Sequence, residues 1–447
     1  MNGILFLLVS CPLLGQVKQK KELTRADYHL WNTIVPHAIS EKGNWVSYTI
    51  SYNAHPDTLF VKSTASNKLY TLPNCEGGEF YREQSILYFA KDYHLQILNL
   101  KTGKTEDIAG VTSYRFLNGG KNILLAYADG RLVVRTIDGK ILTSINNVSE
   151  WVLNNNSSEV AVVRIDGTIS SIGLVIPGQH NKVISTATDL KYHNIVWSKN
   201  DEVLTFFGTN ESNKIYSYNL ISSTRSEFDA ASDKSFPEQM EVITGLSALE
   251  ISDDGRFVFF RIRNKNMSVH NPDEVQVWNT KDKLLYPETV LLGPAENRAF
   301  NAVWNVKNGT WRQLTDRSLP RMMMNATKTV AFVYDPNAYE PQFKHMSDVD
   351  FYRLDLETGG KKIVLEKALG YDGNFVASPG GKYMAYFKDF NWWVYDIELD
   401  AHTNVTSKIH IDLYKYDYLE EEGPTAYGVA GWTPLDKQIL IYDKFDV

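Results

Sequence analysis

One short phrase recurs along this chain: a turn built on Ser or Asn with Asp, Pro and Gly, an alternating hydrophobic run, a second turn, and another alternating run. Repetition of this kind commits a chain to a repeat fold, because a single copy cannot bury its apolar face and needs its neighbours. The clearest copy leads from Ser378-Pro379-Gly380-Gly381 into Lys382-Tyr383-Met384-Ala385-Tyr386-Phe387, crosses Lys388-Asp389-Phe390-Asn391, and resumes as Trp392-Trp393-Val394-Tyr395-Asp396-Ile397. That order is turn, strand, turn, strand.

Further copies start at Ser252-Asp253-Asp254-Gly255 and at Asn118-Gly119-Gly120, the latter with Asp129-Gly130 as its second turn. Asp-Gly and Gly-Gly supply the positive φ that tight hairpin loops demand. Weaker copies begin near Glu41-Lys42-Gly43, Glu83, Asn154, Ser198-Lys199-Asn200-Asp201, Asn325 and Pro434-Leu435-Asp436, which makes nine starts. Their spacing is mostly about 35 to 45 residues, the period of propeller blades with four short strands. The fold class expected is therefore all-β, a β-propeller of four-stranded blades. Eight blades with an incomplete last one fit the starts, and a seven-blade ring with extra strands is the alternative.

Within 447 residues this gives one large domain over 37–447, since a repeat fold grows by adding blades. Residues 16–36 read as a lead-in strap with an aromatic cluster at Tyr28, His29 and Trp31. Residues 264–299 break the rhythm as a turn-rich insertion in which Val275-Gln276-Val277-Trp278 alternates like a lone strand. A second polar insertion covers Asp335 to Asp348. The last repeat, Gly431-Trp432-Thr433-Pro434 followed by Gln438 to Tyr442, stops short of a full blade. Two readings of it stay open: the lead-in completes that blade, or the chain is the front part of a longer polypeptide.

Hydrophobic residues at 43% and aromatics at 12% supply a core and suit pleated strands. A net charge of -7, with no basic block beyond Lys18-Gln19-Lys20-Lys21, gives no footprint for nucleic acid. The apolar run Ile4 to Leu14 is too short to span a bilayer and reads as a secretory signal over 1–15, cut after Gly15. No membrane span is expected, and the mature chain is placed in the periplasm or outside the cell. Leu8-Val9-Ser10-Cys11 offers the rival reading, a lipoprotein anchor at Cys11. Export leaves Cys75 as the remaining thiol and no internal disulfide. N-x-S/T matches such as Asn147, Asn308 and Asn404 are read as chance in Asn-rich loops.

The usual chemical signatures are missing from the sequence. No G-x-S-x-G occurs, the nearest stretch being Gly245-Leu246-Ser247-Ala248-Leu249, which lacks the second glycine of a nucleophile elbow. There is no H-E-x-x-H, Walker or Rossmann glycine run, zinc spacing or calcium loop. The ten histidines are scattered and read as surface or packing residues. The sequence therefore names no catalytic, cofactor-binding or metal residue, and nothing in it sets an oligomeric state. Glu420-Glu421-Glu422 reads as a solvated loop ahead of any role with an ammonium group. Trp392 and Trp393 read as one core contact and one contact between blades, ahead of a ligand platform.

Ser378–Phe387 with Trp392–Asp396, Gly431–Pro434 with Tyr442-Asp443-Lys444-Phe445-Asp446, and Asp350-Phe351-Tyr352-Arg353-Leu354-Asp355-Leu356-Glu357-Thr358-Gly359 resemble the propeller half of secreted bacterial prolyl oligopeptidase-family serine peptidases. The similarity runs over most of 22–447. It implies a non-catalytic propeller that gates peptide access to an α/β-hydrolase domain not present in this sequence, with peptides as the substrates of the whole and no activity in this part alone. The alternatives are a stand-alone propeller that binds a peptide, glycan or protein, and a propeller enzyme with its site in the central channel.

Overall fold

The computed structural model describes residues 22–447 apart from 54–55, 91–92, 180, 246–247, 267–277, 294–296, 342–346, 371 and 416–424. The signal segment 1–15 with Cys11, the Lys18–Lys21 run, Val275–Val277 of the expected lone strand and Glu420–Glu422 lie outside the described residues. So do Leu246 and Ser247.

The chain is a β-propeller of four-stranded antiparallel sheets. Among the described residues there are nine sheets: seven of four strands, one of five and a last one of two. Each of the four-stranded ones is a meander in which consecutive strands pair, as in the eighth, Phe375–Ala377, Tyr383–Lys388, Asn391–Asp396 and Ala401–Asn404. The nine turn motifs fall one to a sheet, each between its first and second strands. The structural repeat is therefore shifted by one strand from the sequence repeat, because the strand before each turn opens the sheet. For this reason the first strand, Asn32–Ile39, begins inside the stretch read as lead-in.

The five-stranded sixth sheet has a divided first strand. Met240–Ile243 and Leu249–Ile251 both pair with Phe257–Asn264, one beyond the other. Its insertion carries a short helix, Tyr286–Leu292, where the sequence suggested only loop and strand. In the ninth sheet Val429–Trp432 and Ile439–Ile441 pair with each other alone among the described residues. Leu440 and Phe445 there are exposed.

Contacts divide the chain into two compact units, residues up to Tyr114 with Leu125–Asp129, and Arg115–Leu124 with Gly130–Val447. In the first unit, Leu59 and Val61 of the first sheet pack on Ile86, Tyr88 and Leu98 of the second. In the second unit, the middle strands feed two cores at once. Val203–Thr209 is buried over six successive residues. Leu204 and Phe206 face Ala161 and Ile172 of the fourth sheet, while Val203 and Phe207 face Val258 and Phe260 of the sixth. Successive side chains leave a strand on opposite faces, so a strand covered on both sides reads as a continuous apolar run.

The turns are built alike. At Ser40, Ser198, Ser252, Ser378 and Thr433 the hydroxyl accepts the backbone N–H five residues on, at 2.9–3.0 Å. Asn154 and Asn325 do the same with Oδ1, at 3.0 Å. The side-chain oxygen occupies the place of the ladder partner that the turn removes. Carboxylates then tie turn to turn: Glu83 accepts from Lys42 N at 2.6 Å, Asp201 from Asn155 N at 2.7 Å, and Asp436 from Gly380 N at 3.0 Å.

Asp316, in the connection from the sixth sheet to the seventh, accepts from the Ser318 hydroxyl at 2.5 Å, Leu319 N at 3.0 Å, Lys361 Nζ at 3.1 Å and Ser318 N at 2.8 Å. Burial alone would raise its pKa, but these donors overcome it and hold the group down from 3.8 to about 2. A depressed carboxyl contributes stability above its unfolded pKa, and that contribution is lost as pH falls through the folded value. Asp316→Asn is expected to flatten the stability loss between about pH 4 and pH 2, read from denaturation midpoints at each pH. An unchanged acid limb would contradict this assignment.

Candidate functional site

In a meander the connections alternate between the two ends of the sheet. The Ser/Asn turns lie at one end, and the turns between second and third strands, with the sheet-to-sheet connections, lie at the other. Three cavities occur in the fourth to sixth sheets, of about 800, 710 and 590 Å³.

The smallest is lined by the first strands of three consecutive sheets, through Glu150, Asn194 to Val196, and Glu250. The first strand of the fifth sheet, Lys191–Trp197, bulges between His193 and Val196, with Asn194 at φ 53. A bulge leaves backbone donors without a ladder partner. Here the Glu150 carboxylate from the fourth sheet takes both, Asn194 N at 2.7 Å and Ile195 N at 2.7 Å.

The Asn194 side chain donates through Nδ2 to the Gly245 carbonyl, which fixes its Oδ1 toward His193 Nδ1, 2.7 Å away. His193 Nδ1 therefore donates to this oxygen, and its Nε2 meets the Thr209 hydroxyl at 2.5 Å. His193 and Thr209 line the 710 Å³ cavity with Lys191 and Asp189. Hydroxyl, imidazole and amide stand in the order of a nucleophile, base and orienting group. A second pair weighs against that chemistry: in the first sheet His37 Nε2 meets Thr49 Oγ1 at 2.7 Å, beside another bulge of a first strand. The recurring pair pins a bulged first strand to its neighbour.

The largest of the three opens between the connection 230–239 with the strand Met240–Ile243 that follows it and the turn Glu211–Asn213. Its floor is apolar: Phe236, Met240 and Val242 are buried, and Phe236 packs on Trp311 with ring centres 4.8 Å apart. Its walls are polar, with Glu211, Asp233, Glu238 and Glu241 set against Lys234 and Lys265. Glu241 is held by Arg263 at 2.8 Å. In the neighbouring wall Lys214 sits between Glu227 and Asp229, whose hydrogen bonds raise its pKa. Burial pushes Tyr216 up to about 12, so its hydroxyl stays protonated at neutral pH.

The tryptophan pair divides as the strand period requires. Trp392 is fully buried against Phe387 and Leu413, whereas Trp393 is half-buried and stacks on Tyr386 with ring centres 6.4 Å apart. Cys75 is buried, and burial raises its thiol pKa, which removes nucleophilic character at neutral pH. Among the described residues no three His, Cys, Asp or Glu side chains converge as a metal set, and no helix is long and apolar enough to cross a membrane. Sequence reasoning missed Glu150, His193 and Asn194. Their relation depends on a bulge and on which sheets adjoin, and no motif in the sequence marks either.

No protein-family model and no curated protein matches this sequence. Solved structures do align with it. A eukaryotic initiation factor matches at 11% identity and TM-score 0.42, covering 80% of this chain and 84% of that one. A prolyl endopeptidase matches at 9% identity and TM-score 0.35, with 83% of this chain covering 55% of that one. A puromycin-hydrolyzing peptidase of Mycobacterium tuberculosis matches at 11% identity and TM-score 0.32, with 81% of this chain covering 59% of that one. The chain thus spans little more than half the length of these two peptidases, and likeness at this level carries nothing about activity.

Proposed function

We propose that this chain is the non-catalytic propeller part of an exported serine peptidase of the prolyl oligopeptidase family, gating peptide access to a hydrolase domain outside these 447 residues. The observation that supports it most is the joining of the two segments that carry the resemblance. Ser378 Oγ and Gly380 N donate to the Asp436 carboxylate at 2.7 and 3.0 Å, and Tyr383 stacks on Trp432 at 5.9 Å with planes 6° apart. The two likenesses therefore belong to one packed unit and are not independent turn motifs. The role assigned to this part is selection by access, with acyl transfer performed elsewhere.

The test is the nucleotide sequence downstream of the Val447 codon. The expected result is a continuing frame, directly or after one correction, with G-x-S-x-G followed by Asp and His at the spacing of an α/β-hydrolase. A clean stop with no such remnant would overturn the peptidase reading and leave a stand-alone binding propeller.

A further inference from the structure

The strand Met240–Ile243 forms one edge of the sixth sheet, hydrogen-bonded on one side to Phe257–Asn264. Which of its backbone groups face outward follows from one bond. Lys265 N donates to Gln239 O at 2.9 Å, so residues 239 and 265 form a hydrogen-bonded pair of the antiparallel ladder. Such pairs alternate with non-bonded ones. Glu241 and Ile243 therefore bond inward, and Met240 and Val242 turn both their N–H and C=O groups away from the sheet. Two of these four outward groups are occupied: Met240 N donates to Pro237 O at 2.9 Å, and Val242 O accepts from Asn213 Nδ2 at 2.6 Å. Among the described residues no protein group meets the other two, the Met240 carbonyl and the Val242 N–H.

An acceptor and a donor two residues apart along an edge are the pair that an extended backbone answers. Met240, Glu241 and Val242 line the 800 Å³ cavity, whose volume lies within the range of ligand sites and suits a peptide of a few residues. Acidic side chains outnumber lysines in its wall, and Glu211 and Glu238 are exposed at its rim. We propose that this cleft binds an extended peptide segment carrying Lys or Arg, which adds as a short strand to the edge Met240–Ile243 through Met240 C=O and Val242 N–H. The inference deepens the peptide-gating reading by naming where on the propeller a peptide is held and which side chains it favours.

The test uses the full chain and a fluorescein-labelled, end-capped Lys-Val-Lys-Val-Lys peptide, followed by anisotropy. A set of peptides singly N-methylated at successive backbone amides, the Glu-Val-Glu-Val-Glu counterpart, and the double variant Glu211→Gln/Glu238→Gln complete it. The expected result is saturable binding, a loss of about tenfold for the N-methyl peptide that removes the paired donor, and a loss of about fivefold for the double variant. Because Glu211 and Glu238 are exposed, this variant leaves the fold intact. No binding up to about 1 mM, equal affinity for every N-methyl peptide, or equal affinity for the acidic counterpart would each overturn the proposal. The downstream reading frame is decided without reference to the cleft, so the two proposals fail separately.

Discussion

Trp304→Ala is expected to lower the unfolding free energy by about 3–5 kcal/mol, one of the two largest single-residue effects foreseen for this protein. Trp304 is 1% exposed and lies in the core shared by the fifth and sixth sheets, with its ring 6.1 Å from that of Phe228. Removing the indole takes away apolar burial and leaves a cavity that two hydrogen-bonded sheets cannot close, since their spacing is set by the remaining large side chains Phe207, Phe260 and Phe228. Urea denaturation followed by fluorescence reads the change, because nine of the ten tryptophans remain. Trp304→Phe should recover most of the loss. A cost below about 1 kcal/mol for the alanine variant would mean that this core is not packed as described.

The second large effect lies in the turn of the eighth sheet. Gly380 approaches Asp436 so closely that an added Cβ would stand 2.5 Å from its Oδ2 and 3.1 Å from its Cγ. Gly380→Ala is therefore expected to push the carboxylate out of its site and cost roughly 2 kcal/mol. Asp436→Ala removes the acceptor of Gly380 N and of the buried Ser378 hydroxyl, at a cost of about 2–4 kcal/mol. The decisive measurement is the double variant. With the carboxylate gone the new methyl has nothing to strike, so the combined loss should fall at least about 1 kcal/mol short of the sum. Strict additivity would show that the carboxylate and the turn do not act as one unit. The following glycine answers to a different constraint: Gly381 sits at φ 74 with Thr327 Oγ1 2.6 Å from its would-be Cβ. Gly380 thus serves close approach, and Gly381 serves close approach and a positive φ together.

Much of the architecture was legible because it is local. Seven of the nine turns carry their own chemistry, a Ser, Thr or Asn oxygen five residues ahead of the N–H it accepts, and Gly255 and Gly381 stand where φ turns positive. The alternation of runs such as Lys382–Phe387 likewise records burial on a pleated strand. The sequence repeat misplaced the phase, since Asn32–Ile39 and Val429–Trp432 open their sheets ahead of the turns that mark each copy. The short helix Tyr286–Leu292 was missed because seven residues opened by Leu285 rather than a capping side chain give no periodic signal.

The site followed different rules. Glu150 could be recognised as the clamp on Asn194 and Ile195 only once the fourth and fifth sheets were known to adjoin and Lys191–Trp197 to bulge. The open Met240 carbonyl and Val242 N–H are backbone groups, which every residue but proline possesses, and their availability is decided by ladder phase and by the reach of Pro237 and Asn213. The sequence by itself determined the repeat, its turns and the strands covered on both faces, because these depend on the conformational limits of a few adjacent residues. Only the tertiary structure decided which carboxylate meets which turn, because those contacts cross some forty to sixty residues of chain, and which backbone groups stay open, because that depends on strand pairing and on the reach of side chains from another sheet.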